Sequence, residues 1–133
     1  MYERFFGLSD RPFAAAPCAN RYFPAAAAEN ARETIGRAID RAAGPALLIG
    51  PSGTGKSVLC QVLAEQHKDN FDVVMLVAAR LCTRRALLQA ILYNLGLPYR
   101  EREEGELRLA LIDYLAPGPS KKDGVLILAD EAQ

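Results

Sequence analysis

Pro45-Ala46-Leu47-Leu48-Ile49-Gly50-Pro51-Ser52-Gly53-Thr54-Gly55-Lys56-Ser57 decides how this chain is read. Its second part fits G-x-x-x-x-G-K-[ST], and its first part is an apolar run of the kind that forms a buried strand. A helix-forming stretch follows, from position 56 to about 67. Phosphate binding needs that order, because the strand aims the loop and the helix N-terminus offers N–H groups to the anion. Glycines at 50, 53 and 55 let the backbone take positive φ and come close to phosphate oxygens. Lys56 would set a point charge between the β- and γ-phosphates, and the Ser57 hydroxyl would complete a Mg²⁺ shell. A glycine-rich turn before an exposed lysine explains the glycines but not the Lys-Ser pair at this offset. The nucleotide-contacting set is therefore Gly50, Pro51, Ser52, Gly53, Thr54, Gly55, Lys56, Ser57 and the next residue, Val58.

A second apolar run, Val125-Leu126-Ile127-Leu128-Ala129, reads as a strand buried on both faces, with Asp130 and Glu131 at its C-terminal end. Open α/β sheets bind ligands at that edge. An apolar strand closed by Asp-Glu is the Walker B pattern. It predicts Asp130 as the Mg²⁺ partner of Ser57, acting through the metal's water shell. Glu131 is then the group that orients and polarises an attacking water, and with Lys56 it forms the predicted catalytic pair. A binding site needs only the first carboxylate, so the second argues for hydrolysis. The competing reading of these two acids is a solvated strand end, which the preceding P-loop disfavours.

Between the motifs, helix and strand patterns alternate. Residues 26–43 repeat apolar positions at helical spacing (Ala27, Ala31, Ile35, Ala38, Ile39, Ala42), and Gly44-Pro45 stops them. Residues 45–49 are the first expected strand. The helix after the loop buries Val58, Leu59, Val62 and Leu63, and residues 72–78 form the second strand. Thr83 caps a helix that runs to Asn94 with Leu87, Leu88, Ile91, Leu92 and Leu95 on one stripe. Another helix spans residues 104–115 with Leu107, Leu111, Ile112 and Leu115, and the third strand closes the chain. Strands alternating with helices imply a three-layer αβα sandwich around a parallel sheet, in one domain over residues 1–133 with an aromatic lead-in at 1–25.

Composition agrees. Half of the residues are hydrophobic, a quarter are charged and the formal net charge is zero, so there is no global pull towards nucleic acid or an anionic membrane. The length of 133 residues suits one core and not two. Arg80, Arg84 and Arg85, and also Lys121-Lys122, are read as solvated loop and helix-start charges before phosphate contacts. Cys18, Cys60 and Cys82 contain no C-x-x-C spacing, which removes a zinc site or disulfide framework, and Cys60 is expected to be a small core residue. His67, the single histidine, is expected in a terminal or surface role. The alanine-rich stretch at 14–28 is interrupted by Pro17, Asn20, Arg21 and Pro24 and cannot span a bilayer. No basic n-region leads into an apolar run, so the expected location is the cytoplasm.

With these residues in place, the chain resembles the AAA+ ATPases of the general-secretion-pathway protein A (ExeA-like) group, whose cousins include ATPases that assist transposition. The resemblance rests on Met1-Tyr2, Phe5-Phe6-Gly7-Leu8, Pro12-Phe13 and Pro17; on Leu47-Leu48-Ile49-Gly50; on residues 87–92 with Leu95-Gly96-Leu97; and on Asp130-Glu131-Ala132-Gln133. It implies ATP at residues 50–57, Mg²⁺ at Ser57 and Asp130, and water activation by Glu131. It also implies protein partners in secretion, cell-envelope or transposition machinery, and self-association. Cys18-Ala19 departs from the group, which usually has an acidic residue after the proline. The resemblance implies that the N-terminal aromatics lie beside the nucleotide pocket or brace it; from the residues themselves, Tyr2, Phe5, Phe6 and Phe13 read as a small packing cluster before a direct adenine contact. The resemblance places a further strand, later in sequence than Gln133, between the P-loop strand and the Walker B strand, so the chain reads as the first half of such a domain. The absence of an Asn-Lys-x-Asp string and the resemblance favour ATP over GTP. Asp130-Glu131-Ala132-Gln133 also suits a helicase-type motor, which the lack of a basic, aromatic-interleaved surface disfavours. A nucleotide-gated interaction module with little turnover is the alternative to an ATPase.

Overall fold

The computed structural model describes residues 2–8, 18–77, 83–118 and 122–131. Met1, Pro12, Phe13, Pro17, Arg80, Cys82, Lys121, Ala132 and Gln133, all singled out above, lie outside the described residues, as does the side chain of Tyr2. In chain order the elements are α1 (Tyr2–Phe5), a 3-10 turn at Ala19–Arg21, α2 (Ala26–Asp40), α3 (Lys56–His67), β1 (Phe71–Leu76), α4 (Arg84–Asn94), α5 (Glu104–Leu115) and β2 (Gly124–Ala129).

Local chemistry explains the helix ends. The Thr83 side chain accepts from the Ala86 N–H and starts α4. At α5 the Glu103 carboxylate and the Glu106 side chain satisfy each other's backbone N–H, a reciprocal box that uses Glu where Ser or Thr is commoner. The helix expected over 26–43 ends early, at Asp40. Ala42 turns left-handed (φ +47) and the Ala43 N–H closes onto the Ala38 carbonyl, so the chain leaves the helix before Gly44.

β1 and β2 pair in parallel, from Phe71 opposite Gly124 to Leu76 opposite Ala129. The alternation of side chains divides the core into two layers. On one face Leu128 packs with Leu59 and Leu63 of α3, joined by Val73, Met75 and Leu126 of the strands and Ala31, Ile35 and Ile39 of α2. On the other, Val74 and Leu76 pack with Ile91 of α4, joined by Leu111 of α5 and Val125. This is the expected αβα layering. On α5, Leu107 is fully buried, but Ile112 and Leu115, expected in the core, are exposed.

Residues 45–49 correct the expectation of a first strand. They form no strand: Leu48 reaches the α3 core, while Leu47 and Ile49 are 79% and 81% exposed. A strand is stabilised by its ladder, and no described segment lies alongside to supply one; the sheet has the two strands β1 and β2.

The lead-in also departs from expectation. The Phe5 and Phe6 rings meet edge to face at 5.0 Å, yet both are exposed, so they do not form a buried cluster. A tighter link holds the following segment. The Tyr22 hydroxyl donates to Glu29 at 2.7 Å, Arg32 donates to both Glu29 oxygens, and Arg32 Nη1 reaches Gln66 of α3 at 2.9 Å. These hydrogen bonds, Arg32 first, hold the Glu29 carboxyl below its ordinary range.

Candidate functional site

The loop at residues 50–55 turns on two glycines in the left-handed region, Gly53 (φ +78) and Gly55 (φ +86). Gly55 is the N-cap of α3, and no side chain caps that end. The first-turn N–H groups of α3 are thus left for an anion, at the positive end of the helix dipole. Gly50 is tight for another reason: a Cβ there would meet Thr54 Oγ1 at 3.2 Å. Thr54 Oγ1 donates to the Pro51 carbonyl at 2.9 Å and so fixes the turn. Lys56 Nζ donates to the Gly50 and Pro51 carbonyls at 2.9 and 2.8 Å, which folds the ammonium over the loop where the anion's charge belongs.

The acidic half arrives from β2. Ladder bonding continues one residue past the strand, with Asp130 N–H on the Leu76 carbonyl at 2.9 Å, so Asp130 stands at the C-terminal edge of the sheet. Its Oδ1 accepts from the Glu131 N–H at 3.2 Å, and Glu131 takes φ +56, a left-handed conformation uncommon for a residue with a Cβ. Asp130 is half-buried and Glu131 exposed.

Two observations bring the halves together. Leu128 and Leu59, two residues before Asp130 and three after Lys56, share one core cluster. Burial pushes the Cys60 thiol up, and the negative charge of Asp130 pushes it further. Cys60 sits at the start of the second turn of α3, three residues after Ser57, so the Asp130 charge is felt on the helix that carries Lys56 and Ser57.

The donor set fits a nucleotide with its own metal. No group of three His, Cys, Asp or Glu side chains that could hold an ion occurs among the described residues. Mg²⁺ commonly takes one or two carboxylates and completes its shell with phosphate and water, which matches a single hydroxyl and a single carboxylate here. Ser57 and Val58 are half-buried, Ser52 is exposed, and all lie in the loop and first turn where the motif puts them.

Other residues behave differently from expectation. His67 ends α3 but is not at the surface: it is 3% exposed, with Nδ1 2.9 Å from the Leu63 carbonyl. Lys122 is a strut rather than a purely solvated charge, donating to the Lys68 and Phe71 carbonyls at 2.6 and 3.2 Å and pairing with Asp72 at 3.4 Å. Arg85 donates to the Arg102 carbonyl at 2.8 Å. A cavity of about 300 Å³ lies beside Asp72, Tyr114, Lys122 and Gly124, at the opposite end of the sheet from Asp130. No helix among the described residues is long and apolar enough to cross a membrane.

Comparison with known proteins gives the family of the chain. The profile of the AAA domain matches residues 39–133. The general secretion pathway protein A of Aeromonas hydrophila is 31% identical over 134 aligned residues, a match that takes in all of this chain and 24% of that protein. The chain thus spans about a quarter of the length of that relative. No solved structure matches significantly.

Proposed function

The chain belongs to the AAA domain family, and on that premise we propose that it binds ATP with Mg²⁺ and hydrolyses it to remodel an assembly of secretion machinery. The observation that carries the reading is the uncapped, glycine-turned N-terminus of α3 with Lys56 folded over it and Asp130 within reach. Lys56 exchanges the carbonyls of Gly50 and Pro51 for phosphate oxygens. The N–H groups of residues 53–57 hold the same phosphates, and Thr54 keeps the turn in shape. Ser57 and Asp130 would hold the metal, which would supply neutralisation of the phosphate charge. Glu131 accepts a proton from the attacking water. Secretion is supported by the likeness to general secretion pathway protein A, and self-association and a cytoplasmic location are part of the same proposal.

Binding of a fluorescent ATP analogue in Mg²⁺ tests the first step. Lys56→Ala is expected to weaken it roughly 10- to 100-fold, the cost of removing a charge-assisted hydrogen bond. Unchanged affinity would remove the P-loop assignment. Glu131→Gln is expected to keep binding and lower turnover about 10²- to 10⁴-fold. Equal turnover in the two chains would leave the nucleotide-gated module as the better reading, one favoured by the Asp130 carboxylate already accepting from the Glu131 N–H.

A further inference from the structure

α5 carries apolar residues on two opposite faces. Leu107 is fully buried, and Leu111 joins the layer of Val74, Leu76 and Ile91. On the outer side Leu109 and Ile112 form a stripe, 61% and 51% exposed, with Leu115 beside it at 52%. A helix that covers one layer of a sandwich needs one apolar stripe, and its outer side is ordinarily polar. The second stripe is surplus to this fold, and surplus apolar surface marks a contact. The space around Gly105, one turn before Leu109, is open, so a second helix can approach there.

The charges bordering the stripe decide what fits it. At 3.6 residues per turn, Arg108 and Asp113 flank the line from Leu109 to Ile112 on opposite sides, each about 70° from it. Both are exposed, and neither side chain has a hydrogen-bond or ion-pair partner among the described residues. Glu106, on the Asp113 border, is already bound to the Glu103 N–H. In an antiparallel pair of copies each border meets its own equivalent, so Arg108 meets Arg108 and Asp113 meets Asp113. In a parallel pair each border meets the opposite one, and Arg108 of each copy faces Asp113 of the other. The five-residue offset is about 7.5 Å along the axis, which an arginine side chain spans, and it is the arrangement of the charge pairs beside a parallel coiled-coil seam. We propose that α5 is a self-association surface, on which two copies lay their α5 helices side by side and parallel with Leu109 and Ile112 between them and Arg108 paired to Asp113 on both sides. One helix of 12 residues per copy makes a small interface, of the weak and reversible class. Because α5 lies on the opposite layer from α3, the pairing does not rest on nucleotide binding.

Sedimentation equilibrium without nucleotide, from roughly 10 µM to 1 mM chain, tests the pairing. The parent chain is expected to pass from monomer to dimer over that range, and Leu109→Gln to stay monomeric. Arg108→Asp and Asp113→Arg each put like charges across both sites, so each alone is expected to dimerise roughly three- to tenfold more weakly than the parent. Mixing those two variants restores opposite charges at both sites, and the mixed dimer is expected to form as tightly as the parent dimer. All three positions are exposed, so urea melts of the variants should match the parent. A parent chain that stays monomeric, or a Leu109→Gln variant that dimerises like the parent, would overturn the surface and leave the stripe to another occupant. A dimer indifferent to both charge reversals, or a mixture no tighter than its components, would overturn the parallel pairing.

Discussion

Two apolar runs of similar composition meet different fates. Residues 124–129 became β2, paired along their whole length with β1, with Leu128 in the core. Residues 45–49 remain unpaired, with one of three large side chains packed and the other two in water. Strand propensity does not separate them, since both carry Leu and Ile. The difference lies in the neighbour: a ladder satisfies backbone groups and holds side chains against two layers, and an isolated run has neither.

Truncation is the bluntest way to test that contrast. Leu128→Ala removes packing from the α3 core and is expected to cost about 2–5 kcal/mol, whereas Ile49→Ala should change stability by less than about 0.5 kcal/mol. Denaturant melts of the two variants decide it. A large loss at Ile49 would mean that residues 45–49 are packed in solution, and the distinction between the runs would fail.

What could be read from the sequence follows the same division. The bounds of α3, α4 and α5 were legible because their signals are local: Gly55 before Lys56, Thr83 before Arg84, an acidic first turn at Glu104, and Gly96-Leu97-Pro98 beyond Asn94. So were the loop glycines and Asp130, since motif spacing fixes them on one strand end and one helix start. Residues 45–49 were misread because periodicity records burial potential but cannot say whether a partner strand is present. His67 ends α3, as expected, but its burial was not legible because it depends on α2, which ends 27 residues earlier, closing over it. Lys122, taken as solvated, gains its role only when the start of β2 is laid against the start of β1.

Within the paired half, smaller effects should follow local chemistry. Thr83→Ala removes the acceptor for the Ala86 N–H and is expected to cost about 1 kcal/mol, because the orphan donor then faces only water. Thr83→Ser should recover most of it, and a Ser variant as weak as Ala would assign the loss to the methyl group. At the far end of the sheet the Tyr114 hydroxyl donates to Asp72 at 2.7 Å. That hydrogen bond, then burial and the Asp72 charge, raise the phenol above its ordinary value of 10.0. A raised value means that the folded chain resists ionisation, so the contribution is complete below pH 10.0 and lost as pH rises through the folded value. Stability should therefore drop more steeply above pH 10.0 in the parent chain than in Tyr114→Phe, as alkaline urea melts would register.

The smallest expected effect tests the join between the unpaired run and the paired half, since the loop hangs from one and Asp130 from the other. Cys60 is the reporter. Its thiol is raised first by burial and second by the Asp130 charge, so iodoacetamide should label it more slowly than exposed Cys18 near pH 8, where reaction needs the thiolate. Asp130→Asn removes only the second cause. Labelling of Cys60 should then accelerate by no more than a few-fold, roughly what a charge gives through a partly solvated path, while Cys18 stays constant. Peptide mass spectrometry separates the cysteines. If Cys60 keeps its rate after the substitution, the carboxylate does not act on the N-terminal part of α3. The loop and the strand end would then be too far apart to hold one metal ion between Ser57 and Asp130.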